Sequence, residues 1–445
     1  MPSDDRRGHA MMMQWSAHQL ALRERFAALG AALTPAHDPL AEHATASVHG
    51  AGSAVEGSDP NASASDFDAV RWQRLRESGL WELIAHADVE QTARPEAWWN
   101  FTAALEGLAS TLRAPALLLS IIAQAGMVRA LQRHGSPEQQ RTYLAALRRG
   151  DLCATGIAEP NTGTDVRSIR STLSACEGGY RLNGSKYNIA HAPMADFSLI
   201  VCRHDDAEGG VALVFVDQGA PGLSAGPPDR KLGNTALPTG SLAFRDVFIP
   251  HAQVLGAPRR GLRQLVDIIS LGRAYYGLVA AHLVSPFLDD AMRYAESRHS
   301  FQEAIVEHQY VQRRLTDIRI GMERSRWTAL GALGRLLNEE ADALLACSVA
   351  KLVGSEDLIR SAQDLVRLYG SRGYHEGPVA TLMRDALGFA SVGGTEEMHR
   401  KNIFNQMSRP GAAPSSTATP RGAGPARREV TDDALGGIRH GAIPA

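Results

Sequence analysis

The sequence has few cysteines, no excess of either charge and no long apolar run. Its four cysteines lie far apart, without the CxxC spacing of a metal site, which disfavours a disulfide scaffold and a cysteine zinc centre. Lys and Arg number 46 against 48 for Asp and Glu, which argues against a protein that neutralises nucleic-acid phosphates. No apolar run approaches the roughly 20 residues of a membrane span. We therefore expect no metal, nucleic acid or membrane among its partners.

The N-terminus does not resemble a secretory signal. Arg6 and Arg7 precede an apolar stretch at 11–15 that is too short for the core of such a signal. With 44% hydrophobic and 21% charged residues, the composition is typical of a soluble globular protein. We expect a cytoplasmic protein of roughly three domains.

Helical periodicity dominates the first third of the chain. Residues 114–134 form a nearly continuous apolar stretch, which predicts a buried helix. Ser136, Pro137 and Gln139 then provide an N-cap, a first-turn proline and a capping-box partner. Gly150 is placed to end that helical region.

After Gly150 the period of the apolar residues shortens towards two. Runs that alternate or are β-branched predict strands at 179–189, 197–202, 211–216 and 241–249. Turn residues separate such runs, at Asn183-Gly184, Gly209-Gly210 and Pro227-Pro228. Helical periodicity then returns in long stretches at 262–297, 303–336, 339–369 and 395–407.

These patterns predict an α+β, multidomain fold. A β-barrel or sandwich lies between an N-terminal helical domain and a C-terminal four-helix bundle. The tail has no aromatic residue and is rich in Gly, Ala, Pro, Ser and Thr, so we expect it to be disordered. The predicted segments are an N-terminal helix and flexible loop (1–65), a helical domain (66–150), a β-domain (151–258), a helical domain (259–407) and the tail (408–445).

Six motifs then occur in a fixed order between residues 66 and 407. They are IAEPNTGTD (157–165), GYRLNGSK (179–186), FRDVFIP with LG (244–256), RHSF with HQ (298–309), YGSRGY (369–374) and RDA with GGT (384–395). Together they resemble the motifs of acyl-CoA dehydrogenases, in order and in spacing. The resemblance implies the fold of that family and a flavoprotein that binds FAD between the β-domain and the C-terminal helices.

The resemblance also assigns residues to the cofactor and to the substrate. In that family, adjacent subunits of a dimer complete each FAD site. The residues that would approach the FAD of the neighbouring subunit are Arg298, Phe301, Gln309 and Gly370. A guanidinium suits pyrophosphate, and a glycine allows close backbone approach. The remaining cofactor positions are Ala158, Thr164, Asn188, Ala190, Thr395 and Glu397. Thr164 and Arg273 would also face the substrate.

The sequence departs from the family at the catalytic base. The family removes the α-proton of an acyl thioester with a Glu, which in most members stands at the position of Gly393. In a minority of members that Glu stands at the position of Gly272, just before Arg273. Both positions are glycine here, so the ordinary proton abstraction cannot occur unaltered. The backbone N–H of Gly393 is retained, and polarisation of a thioester carbonyl remains possible.

Other near-flavin positions have changed as well. The family's Thr before the Glu-Pro pair is Ala158, and its Trp-Ile-Thr segment is Asn188-Ile189-Ala190. The hydroxyls that would hydrogen bond to the flavin edge are therefore lost.

Several residues could replace the base, and the sequence leaves the choice open. Tyr276 is four residues after Gly272 and so lies on the same helix face, but its pKa of about 10 suits hydrogen-bond donation better than proton abstraction. Tyr275 and His282 are further candidates, more typical of packing residues. Glu396 and Glu397 also follow Thr395, where acidic residues ordinarily complement the helix dipole.

Three functions remain open on these grounds. The first is an oxidoreductase that acts on the α and β carbons of an acyl group carried by coenzyme A or an acyl carrier protein, in specialised metabolism. The others are a flavin monooxygenase and a subunit without a base in a hetero-oligomeric dehydrogenase. The resemblance implies a homodimer or homotetramer, or a hetero-oligomer, with an acceptor such as an electron-transfer flavoprotein.

Overall fold

The computed structural model describes residues 15–34, 67–86, 94–163, 165–206, 210–257 and 259–408. The loop predicted within 1–65 falls mainly on residues outside these ranges. Residues 409–445 of the predicted tail and Thr164 also lie outside the described residues.

Helices form the first part of the described chain, as the periodicity predicts. They are α1 (Ala17–Leu33), α2 (Ala69–Glu77), α3 (Arg94–Thr111), α4 (Pro115–His134), α5 (Pro137–Gln139) and α6 (Ala145–Arg149), with a π-helical turn at Gln140–Leu144. The capping box is confirmed, because Ser136 Oγ accepts from the Gln139 N–H at 3.1 Å and Gln139 Oε1 accepts from the Ser136 N–H at 3.0 Å. Gly150 ends α6 in the left-handed conformation, with φ +89°.

The helix α4 is more apolar than the sequence analysis allowed. By length and composition alone, this 20-residue helix could cross a membrane. However, 89% of its most apolar 18-residue segment is buried within the protein, where the helix packs against α7 and β1 among others. The prediction of a buried helix at 114–134 is confirmed, whereas the statement that no apolar run reaches membrane-spanning length is wrong.

The β-domain is one seven-stranded sheet. Its strands are β1 (Cys153–Gly156), β2 (Thr172–Cys176), β3 (Gly179–Ala190), β4 (Phe197–His204), β5 (Val211–Asp217), β6 (Leu223–Ala225) and β7 (Thr239–Pro250). The order is β1-β4-β2-β3-β7-β6, and β5 pairs with β4. The four predicted strands are confirmed, each extended by one to three residues.

The predicted turn at Asn183-Gly184 is wrong. Both residues lie inside β3, where the register against β7 shifts between Leu182 and Gly184. A Cβ on Gly184 would lie 2.5 Å from Ser171 Oγ, so the absence of a side chain at 184 allows β3 to pack closely against Ser171. The turn that joins β2 and β3 contains Gly178 instead, with φ +75°.

The C-terminal region is helical but more divided than predicted. Its helices are α7 (Gly261–Leu283), α8 (Ser285–Ser297), α9 (Gln309–Leu337), α10 (Ala343–Tyr369), α11 (Ser371–Tyr374), α12 (Pro378–Gly388) and α13 (Glu396–Met407). The stretch 262–297 breaks before α8 because Pro286 has no N–H to continue the helix. A two-residue hairpin, β8 (His299–Ser300) with β9 (Glu303–Ala304), takes the start of the stretch predicted at 303–336.

Candidate active site

Two of the residues predicted at the active site lie side by side on α7. Tyr276 follows Gly272 by one helical turn, and helical side chains lean towards the N-terminus, so its ring covers Gly272. A Cβ placed on Gly272 would lie 3.5 Å from Tyr276 Cε2 and 3.7 Å from Ile122 Cγ2, which are ordinary contact distances. The absent side chain at position 272 therefore leaves a space that the Tyr276 ring borders.

The other glycine meets the same ring. Gly393 has φ +69°, and a Cβ placed on it would lie 2.6 Å from Cε2 and 2.7 Å from Cδ2 of Tyr276. The Tyr276 Cζ atom, which carries the hydroxyl, is 3.9 Å from the Cβ positions of both Gly272 and Gly393. The Tyr276 ring thus adjoins both positions at which the motif resemblance predicts a catalytic carboxylate.

The hydroxyl of Tyr276 is available to a ligand. Within the part of the chain that the structure describes, it has no hydrogen-bond partner. The side chain is partly exposed, although it lies deep in the protein. Burial raises the pKa of Tyr276 to about 12, so the phenol is protonated at neutral pH and acts as a donor.

Arg273 supports the loop that contains Gly393. Its side chain is buried, and Nε donates to the Gly393 carbonyl at 3.4 Å while Nη2 faces Met398 Sδ at 3.6 Å. Burial lowers the pKa of Arg273 to about 10, which still leaves it charged. The N–H of Gly393 has no acceptor among the described residues. A thioester carbonyl could therefore take that hydrogen bond, next to a buried positive charge.

Two buried groups lie behind this loop that the sequence analysis did not predict as site residues. Lys351 is fully buried, and its Nζ donates to the carbonyls of Phe389 at 2.9 Å and Ala390 at 3.3 Å. His399 is also fully buried, and neither ring nitrogen has a partner within the described residues. Burial, followed by the charges of Arg273 and Lys351, lowers the pKa of His399 to about 3. Lys351 could have been found in the sequence, because it is a charged residue among the apolar residues of α10.

The other candidates for a base are placed elsewhere. Tyr275 is fully buried, and its hydroxyl lies 3.0 Å from Thr102 Oγ1 in the helical core. His282 Nε2 lies 3.1 Å from Glu106 Oε1, and Glu396 pairs with Arg400 at 3.2 Å. These contacts match packing and surface roles.

The predicted cofactor positions in the β-domain share one region. Asn188 lies where the β3–β7 register shifts, with φ +53°, and the Tyr187 N–H donates to the Ala158 carbonyl at 2.9 Å. Lys186 Nζ binds Glu159 Oε1 at 2.8 Å, and both side chains are buried. The ion pair attaches the Ala158 loop to β3, although neither Glu159 nor Lys186 was among the predicted site residues. Ala190 is partly exposed.

The positions expected to face a neighbouring subunit lie together at one end of the C-terminal region. Phe301 is 90% exposed at the tip of the β8–β9 hairpin, with φ +53°, an uncommon conformation for a bulky residue. Arg298 and Gln309 are also exposed, and within the described residues their side chains form no hydrogen bond or ion pair. Gly370 ends α10 with φ +61°, and no atom of the described residues lies within 4 Å of a Cβ placed there.

Thr395 and Glu397 begin α13. Thr395 is its N-cap, and its Oγ1 accepts from the Met398 N–H at 3.4 Å. Hydrogen bonds from its own backbone N–H and from Thr395 lower the pKa of Glu397. This helix start follows Gly393 directly, so it belongs to the same loop as the Tyr276 contact. The described residues contain no group of three His, Cys, Asp or Glu side chains that could hold a metal.

Comparisons with known proteins agree with this architecture. The family models for the acyl-CoA dehydrogenase middle domain and C-terminal domain match residues 154–247 and 259–408. The mitochondrial isovaleryl-CoA dehydrogenase of Oryza sativa subsp. japonica is 31% identical over 281 residues, which is 62% of this chain and 68% of that protein. The L-prolyl-[peptidyl-carrier protein] dehydrogenase of Serratia sp. is 30% identical over 54% of this chain and 63% of that protein.

Solved structures share the fold. The FAD complex of PigA has a TM-score of 0.76 and 23% identity, and the match covers 89% of this chain and 99% of that one. The chain belongs to the acyl-CoA dehydrogenase family. Membership confirms the predicted fold, the prediction of an oxidoreductase flavoprotein and FAD as the cofactor of the family.

The described residues fit an FAD. The guanidinium of Arg298 has no partner among the described residues, and Arg298, the Phe301 ring and the Gln309 amide are all exposed, a set suited to a pyrophosphate and an aromatic ring system. On the β-domain side, the methyl groups of Ala158 and Ala190 cannot hydrogen bond, so that region can offer the flavin edge only backbone groups at these two positions. The roles of these residues stay predictions.

Proposed function

We propose that this chain is an FAD-dependent oxidoreductase that acts on the α and β carbons of an acyl thioester. The observation that carries the proposal is the N–H of Gly393, which lies beside the buried Arg273 and the Tyr276 ring. Neither this N–H nor the Tyr276 hydroxyl has a hydrogen-bond partner among the described residues. A thioester carbonyl is the acceptor that this donor suits, because carbonyl polarisation acidifies the α-carbon. FAD, when bound, would supply two-electron chemistry at the β-carbon.

Four residues of the chain have a defined role in this proposal. The Gly393 N–H donates to the thioester oxygen, and Arg273 fixes the loop through the Gly393 carbonyl and adds positive charge to its surroundings. Lys351 holds the preceding residues of the loop in place through two carbonyls. Tyr276 borders the α-carbon position, where relatives place a carboxylate.

The carrier of the acyl group is coenzyme A or an acyl carrier protein. One relative is named for an acyl-CoA and another for a carrier-bound prolyl group, so both remain within the proposal. The loss of both usual carboxylates supports a place in specialised metabolism rather than in bulk fatty-acid oxidation. We further propose a homo-oligomer, in which a second copy completes the FAD site, and an electron-transfer flavoprotein as redox partner. The cytoplasmic location stays a prediction.

A subunit without a base in a hetero-oligomer is the second candidate. It is favoured by one contrast: Arg298, Phe301 and Gln309 are free to face a neighbour, while Ala158 and Ala190 have lost hydroxyls on the chain's own side. Such a subunit would complete the flavin site of its partner without catalysing the reaction itself.

The visible spectrum of the purified full-length chain tests the proposal. We expect a yellow protein whose flavin spectrum changes, without oxygen, on addition of butyryl-CoA to the oxidised form or crotonyl-CoA to the dithionite-reduced form. Coenzyme A alone serves as the control and should leave the spectrum unchanged. A colourless protein that takes up FAD only with a co-expressed relative would favour the second candidate. A yellow protein whose flavin spectrum changes with neither thioester, but which consumes oxygen with a supplied reductase, would instead indicate a monooxygenase.

A further inference from the structure

The Tyr276 ring occupies the position of the missing base. Its Cζ atom is 3.9 Å from the Cβ positions of Gly272 and Gly393, and its hydroxyl extends one bond further. A glutamate at either position would hold its carboxyl carbon two bonds beyond Cβ, a reach comparable with the 3.9 Å between those Cβ positions and Tyr276 Cζ. Since Cε2 would lie 2.6 Å from a Cβ on Gly393, a side chain at 393 and this ring position exclude one another.

The chemical character of the group has changed with the residue. A carboxylate is charged at neutral pH and accepts a proton, whereas a phenol with an ordinary pKa of about 10 holds its proton. Tyr276 has no hydrogen-bond partner and no basic neighbour in contact with its hydroxyl among the described residues, so nothing there assists its deprotonation. In its resting state the site therefore offers a proton donor, not a proton acceptor, next to Gly272 and Gly393.

We propose that Tyr276 is the catalytic acid for reduction of an α,β-unsaturated acyl thioester. This inference rests on the function proposed above and specifies its substrate class and direction. Reduced FAD, when bound, would supply the hydride to the β-carbon and would itself lose two electrons. The C=C π pair forms the new C–H bond at the α-carbon with the proton of the Tyr276 hydroxyl. The O–H bond breaks, and the resulting tyrosinate is reprotonated from water.

The thioester oxygen is stabilised in the same step. As charge develops on the α-carbon it spreads to that oxygen, which accepts from the Gly393 N–H beside the positive charge of Arg273. The protonated phenol needs no prior ionisation in this direction. The opposite direction, dehydrogenation, would need tyrosinate, which at an ordinary pKa of about 10 is roughly one part in a thousand at pH 7.

The first experiment follows reoxidation of the dithionite-reduced holoprotein by crotonyl-CoA and cinnamoyl-CoA in a stopped-flow spectrometer. We expect Tyr276→Phe to slow reoxidation about 10²-fold or more, since general acids contribute about 10²–10⁴-fold. The dissociation constant of the thioester should change by less than about threefold. Tyr275→Phe is the matched control, because its hydroxyl bonds to Thr102 in the core, and it should reoxidise at the wild-type rate.

The second readout needs no turnover. Acetoacetyl-CoA bound to the oxidised holoprotein has an ultraviolet enolate band, and a donor at Tyr276 should stabilise that enolate. We expect Tyr276→Phe to reduce the enolate fraction about tenfold and Tyr275→Phe to leave it unchanged. Circular dichroism of each variant verifies that it is folded.

The outcomes separate this inference from the proposed function. Equal reoxidation rates and equal enolate bands in wild type and Tyr276→Phe would overturn the role of Tyr276. If butyryl-CoA reduces the flavin but neither unsaturated thioester reoxidises it, the direction is wrong while the proposed function stands. If no thioester affects the flavin in either redox state, the proposed function itself fails.

Discussion

The two glycines at the base positions differ in what surrounds them. Gly272 is in the middle of α7 and has only ordinary contacts around a Cβ position, the nearest at 3.5 Å. Gly393 combines a left-handed φ with a ring atom 2.6 Å away. The first is therefore replaceable by an L-residue, whereas the second is required by its conformation and by Tyr276.

We predict opposite stability effects of alanine at these two positions. Gly272→Ala should raise the free energy of unfolding by up to about 1 kcal/mol, because alanine is the better helix former. Gly393→Ala should lower it by about 1–3 kcal/mol, through backbone strain and contact with Tyr276. Urea unfolding of the two variants beside wild type provides the measurement, and loss of stability in both would show that α7 is packed more tightly at Gly272 than the distances indicate.

A carboxylate can be restored at Gly272 if the phenol is removed. We expect Gly272→Glu combined with Tyr276→Ala to gain oxidation of butyryl-CoA, with flavin bleaching at least about 10²-fold faster than in wild type, since a positioned general base contributes about that much. Anaerobic flavin absorbance gives the rate. Tyr276→Ala alone should show no such gain, and an equal gain in that single variant would mean that steric relief, not the carboxylate, was responsible.

The helices α7 and α10 cross at a pair of glycines. A Cβ on Gly277 would lie 2.5 Å from the Ala350 carbonyl oxygen, and one on Gly354 would lie 2.6 Å from the Gly277 Cα atom. Because the contacting atoms belong to the backbone, no flexible side chain could move aside to make room for an added Cβ. This crossing sets the position of α7, and with it the position of Arg273 and Tyr276 relative to the α13 loop.

Substitution at the crossing should be costly. We predict that Gly277→Ala lowers the free energy of unfolding by about 2–3 kcal/mol and Gly354→Ala by a similar amount, because overpacking forces the helices apart. Gly331→Ala on α9 is the control, since no atom in the described part of the chain lies within 4 Å of its Cβ position, and it should be neutral or stabilising. Thermal unfolding with the flavin spectrum recorded in parallel would measure both effects, and an unchanged melting temperature in Gly277→Ala would contradict this prediction.

A buried ion cluster joins the N-terminal and C-terminal helices across the molecule. Glu106 of α3 is fully buried, with Arg326 Nε of α9 at 2.5 Å and His282 Nε2 of α7 at 3.1 Å. Burial acts to raise the pKa of Glu106, but hydrogen bonds and charge from His282 and Arg326 outweigh it and hold that pKa at about 2, below the ordinary 4.5. The folded state therefore resists protonation more than the unfolded state does.

This cluster predicts a defined acid dependence of stability. A lowered carboxyl pKa contributes stability that is complete above the unfolded pKa of 4.5 and is lost as the pH falls towards 2. Glu106→Gln should lower the free energy of unfolding at pH 7 by about 3–5 kcal/mol and flatten its decline between those pH values. Glu376→Gln, which breaks an exposed and solvent-screened pair with Arg384, should change the pH profile of denaturant unfolding much less than Glu106→Gln does. If the free energy of unfolding falls equally steeply with acidification in Glu106→Gln and in wild type, Glu106 is not the source of the acid dependence.

Much of the fold followed from local patterns. The capping box at Ser136 and the left-handed end at Gly150 are short-range features, in which residues a few positions apart satisfy one another's backbone groups. The four strands were readable from the alternation of their own residues, although their hydrogen-bond partners in the sheet are distant in sequence. The family motifs and the glycines at both base positions are likewise readable from residue identity alone. Asn183-Gly184 shows the limit, since the same dipeptide that favours a turn serves as an irregularity inside β3.

The arrangement of the site depended on contacts between distant parts of the chain. Tyr276 and Gly393 are far apart in sequence, as are Arg273 and the carbonyl it binds, and Lys351 reaches the same loop from a third helix. Periodicity placed Tyr276 on the face of Gly272, but it carried no information on which loop would pack against that face. The reason is physical: a helix pattern specifies the directions of its own side chains, whereas the packing of the assembled helices and sheet selects the groups that they meet.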